Sequence, residues 1–372
     1  MLKRQKWQWI VRIFFLSLFL LLLYLTTFPL PAFPTNLFFR IDPYFSLLFF
    51  LSSHRLSLIL LPGLVILVFF LWGKRKIFCQ WFCPLGTVFS FASLIRRKRS
   101  KAKRFPILSF YILGFFLGLA IFSIPIGGFL DPFSFLVKAI VSRPFFFSIL
   151  VLFLLHIFYP FFWCSKICPL GGLLESLSIK RRGINFARRK FILSFLTGIA
   201  IGATLKLRKK RPVFIRPPGA LAEEEFISKC LRCGECMKVC PTGTIHLQWF
   251  EGGLESLFTP YLILRKAPCS FCFSCGIVCP TGAISKNLRR EEVKIGRAVI
   301  DRERCITWKR GIQCGVCYKN CPSHAIFLDG KGRPHVNAEK CSGCGVCEFS
   351  CPVEGDSAIR VFPLEERNYV KL

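Results

Sequence analysis

The sequence is short of acidic residues and of the motifs that mark catalysis. Its 372 residues include 20 Asp and Glu against 52 Lys and Arg, which gives a formal net charge of +32. It contains no phosphate-binding loop, no dinucleotide-binding glycine fingerprint and no nucleophile motif. No Cys-x-x-Cys-His segment is present, so c-type haem attachment is not encoded. These absences leave little room for nucleotide-dependent or covalent catalysis.

The shortage of acid is concentrated in the N-terminal half. Residues 1–212 hold 30 Lys and Arg but only three acids, Asp42, Asp131 and Glu175. Residues 213–372 hold 22 basic and 17 acidic residues. The chain is 53% hydrophobic with 43 Phe, which is too apolar for an ordinary soluble enzyme. Basic clusters beside long apolar runs are typical of positive-inside loops, so we predict contact with membrane lipid and not with nucleic acid.

Apolar runs of about membrane-spanning length alternate with basic connections in this half. The predicted spans are 13–30, 56–72, 105–126 and 145–163, with a short fifth at 191–205. Connections 74–104 and 180–190 carry ten and six basic residues and no acid. They are expected in the cytoplasm, and the nearly neutral loops 31–55 and 127–143 outside. We therefore expect a multi-pass protein of the cell (inner) membrane.

The N-terminal half is an internal repeat that carries two Cys-x-x-x-Cys-Pro-Leu-Gly motifs. Cys79 and Cys83 stand in the first motif, and Cys164 and Cys168 in the second. This spacing puts two sulfurs about one helical turn apart, and the repeat would bring both pairs to the inner end of one bundle. Four thiolates are enough for one further iron–sulfur cluster. Redox-active thiols and structural cysteines are the alternatives.

The two neutral loops repeat as well. Asp42 and Asp131 each precede a proline at the head of an apolar stretch, which is the usual pattern of a helix N-cap. The alternative is a proton acceptor at an outer quinol site, with His54 nearby in the sequence. His156 lies in the fourth predicted span, where ionisable residues are functional candidates, although its counterpart in the other repeat is Leu71.

The C-terminal half contains four copies of one cysteine pattern. The run Cys230, Cys233, Cys236, Cys240-Pro has the spacing of bacterial ferredoxins, in which the fourth cysteine binds a neighbouring cluster. The other copies are Cys269, Cys272, Cys275 and Cys279; Cys305, Cys314, Cys317 and Cys321; and Cys341, Cys344, Cys347 and Cys351. Zinc ribbons pair distant Cys-x-x-Cys knuckles, and disulfide scaffolds are short chains. We therefore predict four [4Fe–4S] clusters.

The third run differs from the others in its first gap, and all four runs are followed by similar residues. Eight residues separate Cys305 from Cys314, which leaves a [3Fe–4S] or modified site open at the third run. Each run is followed by a small residue and Ile, which predicts a short helix and then a strand, as in repeated α+β ferredoxin half-units. The sequence leaves open which runs exchange their fourth cysteines.

The chain divides near 211–219 (RPVFIRPPG), where Pro and Gly density predicts a linker and domain boundary. We predict a transmembrane helical domain at 1–185, a twin-arginine-like fifth helix with its flank at 186–212, and a four-cluster ferredoxin domain at 213–372. The predicted fold class is a membrane α-helical bundle of four to five spans with a 2+2 internal repeat, followed by an α+β poly-[4Fe–4S] ferredoxin-like domain. Residues 187–193 resemble a twin-arginine export signal, and an ordinary positive-inside flank is the alternative.

With both halves considered, the chain resembles a fusion of two components of bacterial periplasmic nitrate reductase systems. Residues 1–185 resemble the membrane quinol-dehydrogenase component (NapH type), with its spans and two Cys-x-x-x-Cys-Pro motifs. Residues 186–372 resemble the ferredoxin-type component (NapG type), with its twin-arginine leader, an Arg-Pro-Pro-Gly segment matched by 216–219, and four cluster runs with a widened third. The resemblance implies quinol oxidation and onward electron transfer to periplasmic acceptors.

Three functions are open on these grounds. In the first, quinol from the quinone pool gives electrons to clusters on the periplasmic face, and a redox partner, a cytochrome or a reductase, receives them. In the second, the ferredoxin domain faces the cytoplasm and reduces quinone. In the third, the protein serves maturation or redox sensing. The first hypothesis places about 30 Å of hydrocarbon between inner cysteines and outer clusters, so a mobile quinone or a partner would have to connect them.

Overall fold

The computed structural model describes residues 2–28, 36–72, 78–95, 107–159, 162–176, 184–207, 213–286 and 288–364. Parts of the predicted basic connections, 74–77, 96–104 and 180–183, and the basic flank at 208–211 lie outside these residues. Within them, the N-terminal half is helical, and the C-terminal half consists of short helices and two-stranded sheets.

The N-terminal half is a set of helices joined by short turns. Helices α1 to α10 are, in order, Leu2–Leu25, Leu37–Ile41, Pro43–Ser53, Leu61–Trp72, Pro84–Ile95, Ile107–Ile121, Pro132–Val141, Arg143–Phe158, Pro169–Ser176 and Ile184–Lys206. Single π-helical turns at Phe78–Phe82 and Trp163–Ile167 precede α5 and α9, and a 3₁₀ turn at Ile126–Leu130 precedes α7. Each helix after a π-helical turn begins at the proline of its Cys-Pro-Leu-Gly motif, where a missing amide costs nothing.

Helix length limits what this half can span. In the described part of the chain, Lys6–Leu25 is the one helical stretch long and apolar enough to cross a membrane. The other apolar helices are shorter: Pro43–Ser53, Leu58–Phe69, Leu108–Ile121, Pro132–Val141 and Arg143–Phe158. Even the 16 residues of α8 extend only about 24 Å at 1.5 Å per residue, less than the roughly 30 Å of a hydrocarbon core. The predicted bundle of four to five spans is therefore not confirmed.

Helix α10 contains both the twin-arginine-like stretch and the predicted fifth span, and it packs closely along α6. A Cβ atom added at Gly118 of α6 would lie 2.4 Å from the carbonyl oxygen of Phe195. One added at Gly198 of α10 would lie 2.3 Å from the carbonyl oxygen of Phe115. Such backbone approach through small residues is typical of helix pairs in membranes. The 23-residue helix α10 is thus a packed element of the N-terminal half.

Two short helices, α3 and α7, begin at the repeated aspartate–proline pairs. Asp42 caps α3 by accepting the amide of Phe45 at 2.8 Å. Asp131 caps α7 by accepting the amides of Phe133 and Ser134 at 3.0 and 3.1 Å. The interpretation of these aspartates as N-caps is confirmed, and one oxygen of each carboxyl remains for another role.

The C-terminal half contains six short helices and six strands in the described residues. Helices α11 to α16 are Glu223–Lys229, Glu235–Val239, Ser274–Ile277, Ile306–Arg310, Val316–Lys319 and Val346–Phe349. Strands β1 to β6 are Ile245–Leu247, Pro260–Leu262, Arg297–Ile300, Ile326–Leu328, Pro334–Val336 and Ile359–Phe362. All pairings are antiparallel, β1 with β2, β3 with β6 and β4 with β5, and an isolated bridge joins Ala220 to Ile284.

These pairings divide the C-terminal half into two similar units. In each unit the two middle strands pair, β1 with β2 and β4 with β5, and the first and last segments pair around them. The predicted strand follows the first, third and fourth cysteine runs as β1, β4 and β6. After the second run it is reduced to the bridge at Ile284. Runs one and two therefore share one unit, and runs three and four share the other.

The end of the predicted linker is part of the C-terminal core. Arg216 is completely buried. Its guanidinium donates to both carboxylate oxygens of Glu223 at 2.6 and 3.2 Å, to the Thr259 hydroxyl at 2.8 Å and to the Pro260 carbonyl at 2.7 Å. It also lies 4.8 Å from the centre of the Phe226 ring. The boundary between the halves therefore falls before this arginine, and residues 216–219 are structural.

Candidate iron–sulfur sites

The first two cysteine runs meet around one cavity. Cys230, Cys233 and Cys236 of the first run line it together with Cys279, the last cysteine of the second run. The cavity is thus built from three thiols of one run and the fourth thiol of its partner. This is the exchange that two-cluster ferredoxin folds make.

The remaining cysteines are grouped by the same exchange of fourth cysteines. A second cavity is lined by Cys341, Cys344 and Cys347 with Cys321 of the third run. Cys240 acts electrostatically on the thiols of the second run, and Cys351 on those of the third. We name the sets site 1 (Cys230, Cys233, Cys236, Cys279), site 2 (Cys269, Cys272, Cys275, Cys240), site 3 (Cys305, Cys314, Cys317, Cys351) and site 4 (Cys341, Cys344, Cys347, Cys321).

The shape of these sets fits a cluster better than a single ion. Within the described ranges, no three His, Cys, Asp or Glu side chains are arranged to hold a metal ion. The thiols instead line open cavities at site 1 and site 4. Zinc draws its four ligands towards one point, whereas a cube needs them spread around its corners. The residues therefore fit a [4Fe–4S] cluster.

Burial controls the protonation of the thiols when no metal is present. It raises the pKa of Cys269 to about 12 and that of Cys317 to about 11, because a buried thiolate is poorly solvated. These cysteines are therefore protonated in the metal-free protein at neutral pH. Iron can bind them only by displacing the protons.

A hydroxyl group stands two residues after three of the four exchanged cysteines. The sulfur–oxygen distances are 3.5 Å from Cys240 to Thr242, 3.6 Å from Cys279 to Thr281 and 3.6 Å from Cys321 to Ser323. The fourth, Cys351 of site 3, has Val353 at that position. A metal-bound thiolate can only accept, so these hydroxyls would donate to the sulfur, and such bonds tune cluster potentials. Site 3 lacks this donor at its exchanged cysteine.

Neighbouring thiols connect the four sites one after another. The neighbouring thiols are Cys236 and Cys275 between sites 1 and 2, Cys269 and Cys344 between sites 2 and 4, and Cys347 and Cys317 between sites 4 and 3. The amide of Cys269 also donates to the carbonyl of Cys344 at 2.9 Å, which joins the two units. The spatial order is therefore site 1, site 2, site 4, site 3.

Four further cysteines come together in the N-terminal half. We call Cys79, Cys83, Cys164 and Cys168 the CxxxC set. The amides of Gly86 and Gly171 donate to the sulfurs of Cys83 and Cys168, both at 3.4 Å. The first cysteine of each motif lies within electrostatic range of both these sulfurs. The repeat thus brings the two motifs to one place with matching local geometry.

The two repeated aspartates also meet. Asp42 and Asp131 are completely buried, and their carboxyl groups lie within electrostatic range of each other. Two buried carboxylates this close repel each other, so we expect one of the two to carry a proton. Among the described residues, Oδ2 of Asp42, Oδ1 of Asp131 and the buried Tyr44 hydroxyl have no hydrogen-bond partner. These three side chains form a buried polar cluster at the start of α3 and α7.

The two histidine candidates lie apart from this pair. His54 is exposed at the other end of α3, where it caps the helix with a left-handed φ of 52°. His156 is buried, stacks on the Phe89 ring with centroids 3.9 Å apart, and donates from Nδ1 to the Leu152 carbonyl at 2.9 Å. Neither histidine is among the groups that act on the aspartate pair.

The C-terminal half rests on the segments around α3 and α7. The contacts are a hydrogen bond from Asn36 to the Val278 carbonyl at 2.8 Å, one from the Ser52 hydroxyl to the Ser228 carbonyl at 2.7 Å, and the close approach of Gly128 to the Leu231 carbonyl. All three lie in or beside the loops predicted to be outside the membrane. Leu231 belongs to the first cysteine run, so site 1 is the site nearest the N-terminal half.

A row of aromatic rings connects the CxxxC set with site 1. Trp163, next to Cys164, packs on Phe135 with centroids 4.7 Å apart. Phe135 packs on Phe145 at 5.9 Å, and Phe145 on Phe258 at 5.5 Å. Phe258 lines the cavity of site 1. No sequence pattern singles out these rings among 43 phenylalanines. The nearby Lys138, by contrast, could have been recognised from the sequence, because it is a charged residue within an apolar helix.

Comparison with known families places iron–sulfur domains in both halves. A 4Fe-4S dicluster domain matches residues 298–361, and a 4Fe-4S binding domain matches residues 227–246. A further 4Fe-4S binding domain matches residues 55–102 and 139–193, which contain the two CxxxC motifs. These matches support iron–sulfur clusters in this chain.

The similar proteins are of ferredoxin type. Ferredoxin-type protein NapG of Escherichia coli (strain K12) is 37% identical over 188 residues, which cover 45% of this chain and 78% of NapG. Methylamine utilization ferredoxin-type protein MauM of Methylorubrum extorquens is 39% identical over 186 residues, 46% of this chain and 82% of MauM. Ferredoxin-type protein NapF of Haemophilus influenzae is 30% identical over 180 residues, 45% of this chain and 91% of NapF. No solved structure matches the chain.

Proposed function

Because the chain belongs to the family of NapG- and MauM-like ferredoxin-type iron–sulfur electron-transfer proteins, we propose that it is bound to the cell membrane, takes electrons from quinol and delivers them to a redox partner protein. The observation that carries this proposal is the succession of thiol sets through sites 1, 2, 4 and 3, which aromatic rings connect to the CxxxC set. Each of sites 1 to 4 would hold one [4Fe–4S] cluster, and the CxxxC set would hold a fifth. An iron–sulfur cluster supplies a carrier that gains and loses one electron at a time.

Quinol oxidation also needs a proton acceptor, and the aspartate pair offers one. A quinol loses two protons together with two electrons, so a buried group must take up protons near the first electron acceptor. Asp131 lies within electrostatic range of Cys83, and Tyr44 within range of Cys168. The unprotonated member of the Asp42–Asp131 pair could accept a proton, and the free Tyr44 hydroxyl could orient a quinol oxygen. His54 and His156 stay weaker predictions because neither acts on this pair.

The placement of the C-terminal half favours the periplasmic face over the cytoplasmic one. This half contacts Asn36, Ser52 and Gly128. These residues belong to the nearly neutral loops, whereas the strongly basic connections are the ones expected inside. A C-terminal half that docks on the neutral loops therefore supports a periplasmic electron donor rather than a cytoplasmic quinone reductase.

The electron source is tested with full-length protein purified in detergent without oxygen. A menaquinol analogue should bleach the cluster absorbance, and dithionite serves as the reference for complete reduction. Asp42→Asn with Asp131→Asn should slow reduction by quinol at least tenfold without changing reduction by dithionite. Asp301→Asn, an exposed aspartate of the C-terminal half, is the matched control. Full reduction by dithionite with none by quinol would rule out quinol as the donor and leave the iron–sulfur assignment intact.

The side of the membrane is tested on closed vesicles of known orientation. A protease added outside right-side-out vesicles should digest residues 213–372, and the same protease outside inverted vesicles should not. The opposite pattern would overturn the periplasmic placement and favour a cytoplasmic module.

A further inference from the structure

Lys138 is a buried cation between the two halves. It lies in α7 and is 1% exposed. Its Nζ donates to the Phe129 carbonyl at 3.4 Å and lies 5.8 and 5.7 Å from the centres of the Phe129 and Phe145 rings. Among the described residues, no carboxylate forms an ion pair with it. Burial lowers the pKa of Lys138 to about 7, because a buried ammonium without a negative partner costs several kcal/mol. The charged form of this lysine therefore requires a counter-charge.

The nearest negative positions belong to site 1. Cys233 exerts the largest favourable electrostatic effect on Lys138, and Asp131 and Cys230 act in the same direction. Contact with the loop of site 1 is direct, because a Cβ atom added at Gly234 would lie 3.3 Å from Cγ of Lys138. A cube held by four thiolates is negatively charged, and reduction adds one more negative charge. Site 1 therefore supplies the negative counter-charge for Lys138.

Arg232 is also positive and buried near this site, but it has another role. Its guanidinium donates to the carbonyls of Cys230, Glu255 and Leu257 at 2.7 to 2.9 Å, so its donors are engaged in holding the loop. It belongs to the same run as the thiols. Lys138, by contrast, comes from the N-terminal half, so its charge reaches site 1 only when the halves are docked.

We infer that Lys138 is a positioning residue whose charge raises the reduction potential of site 1 when the two halves are docked. A positive charge beside a cluster stabilises the reduced, more negative state. The N-terminal half thereby makes the site nearest to the CxxxC set easier to reduce than it would be in an isolated C-terminal half. This inference rests on the proposed [4Fe–4S] cluster at site 1.

The test is a redox titration of full-length protein in detergent, followed by electron paramagnetic resonance. Lys138→Met should lower the reduced-to-oxidised ratio of one cluster at least tenfold at a given potential, which is about 59 mV for one electron. The other clusters should titrate as in the parent protein. Lys138→Arg keeps the charge and should bring the ratio back to within about threefold. Lys206→Met, which removes an exposed lysine at the end of α10, is the control and should change nothing.

Iron content separates the outcomes. If Lys138→Met loses about four irons per chain, Lys138→Gln is measured in its place, because its polar side chain can keep the contact with the Phe129 carbonyl. A Lys138→Gln variant with full iron content and unshifted potentials would overturn the inference. So would a Lys138→Arg variant that titrates like Lys138→Met, since the charge would then be irrelevant. A parent protein without a cluster at site 1 would instead overturn the assignment of that site.

Discussion

Replacement of Arg216 should strongly destabilise the C-terminal half. The residue sits in a segment that looks like a linker, yet its side chain is completely buried and makes four hydrogen bonds. Arg216→Met keeps much of the apolar stem and removes the charge. It removes the guanidinium that donates to the Glu223 carboxylate, 15% exposed, and to the Pro260 carbonyl.

The expected magnitude follows from that arrangement. Breaking a buried, hydrogen-bonded ion pair by removing one partner costs about 3–5 kcal/mol. Domains of this size are stable by only about 5–15 kcal/mol. With a urea dependence of about 2 kcal/mol per molar, the midpoint should fall by roughly 1.5–2.5 M. The measurement is the apparent urea midpoint of cluster loss in the full-length protein, compared with the parent under the same conditions.

A double-mutant cycle shows whether the ion pair is the cause. Glu223→Gln keeps an acceptor for the guanidinium and should cost less than Arg216→Met. The double variant should cost less than the two single changes added together, because no charge is then left without a partner. A shift of the Arg216→Met midpoint by less than about 0.3 M, or strict additivity in the cycle, would refute the reasoning.

Four further outcomes are expected. Cys279→Ala should remove the same paramagnetic signal as Cys233→Ala and about four irons per chain, and loss of the site 2 signal instead would disprove the exchange of fourth cysteines. Gly118→Leu should lower the stability of the N-terminal half by about 1–3 kcal/mol, because a Cβ there would lie 2.4 Å from a backbone oxygen; calorimetry against the parent protein checks this. Val353→Thr should supply the missing hydroxyl and raise the reduction potential of site 3 alone in a redox titration. In cluster-free protein, the pKa of Cys269 is raised from 9.0 to about 12, so its protonated thiol favours the folded state fully below pH 9 and this contribution is lost as the pH rises towards 12. The unfolding temperature should fall over that interval, and less steeply in Cys269→Ser.

The sequence predicted the parts of the molecule that local spacing determines. A cluster ligand run needs its cysteines at fixed intervals, so the four runs and the strands after three of them are readable without a structure. The CxxxC motifs are readable for the same reason, and their meeting followed from the internal repeat. The N-cap role of Asp42 and Asp131 was equally local, because an Asp-Pro pair carries its own backbone preference.

Tertiary contacts determined what the sequence left open. Which runs exchange Cys240, Cys279, Cys321 and Cys351 depends on how the strands pair, and that is a property of the folded units. Pro and Gly are frequent both in exposed linkers and in buried turns, so the segment with Arg216 could not be told from a linker by composition. Hydropathy likewise does not tell a span from a shorter apolar helix such as α8, which covers most of the predicted span 145–163.

The main difficulty of a quinol-linked function is the distance between the two groups of cysteines, and the position of the short helix α7 reduces it. The predicted topology put about 30 Å of hydrocarbon between the inner cysteines and the outer clusters. In the structure, α7 contacts both groups: Phe135 packs on Trp163 beside the CxxxC set, and Lys138 touches the Gly234 loop of site 1. These two positions are three residues apart, or about 4.5 Å along a helix axis, and the whole ten-residue helix is about 15 Å long. In the proposed function, therefore, no mobile quinone would be needed between the two groups, and quinol would act only as the donor at the aspartate pair where α7 begins.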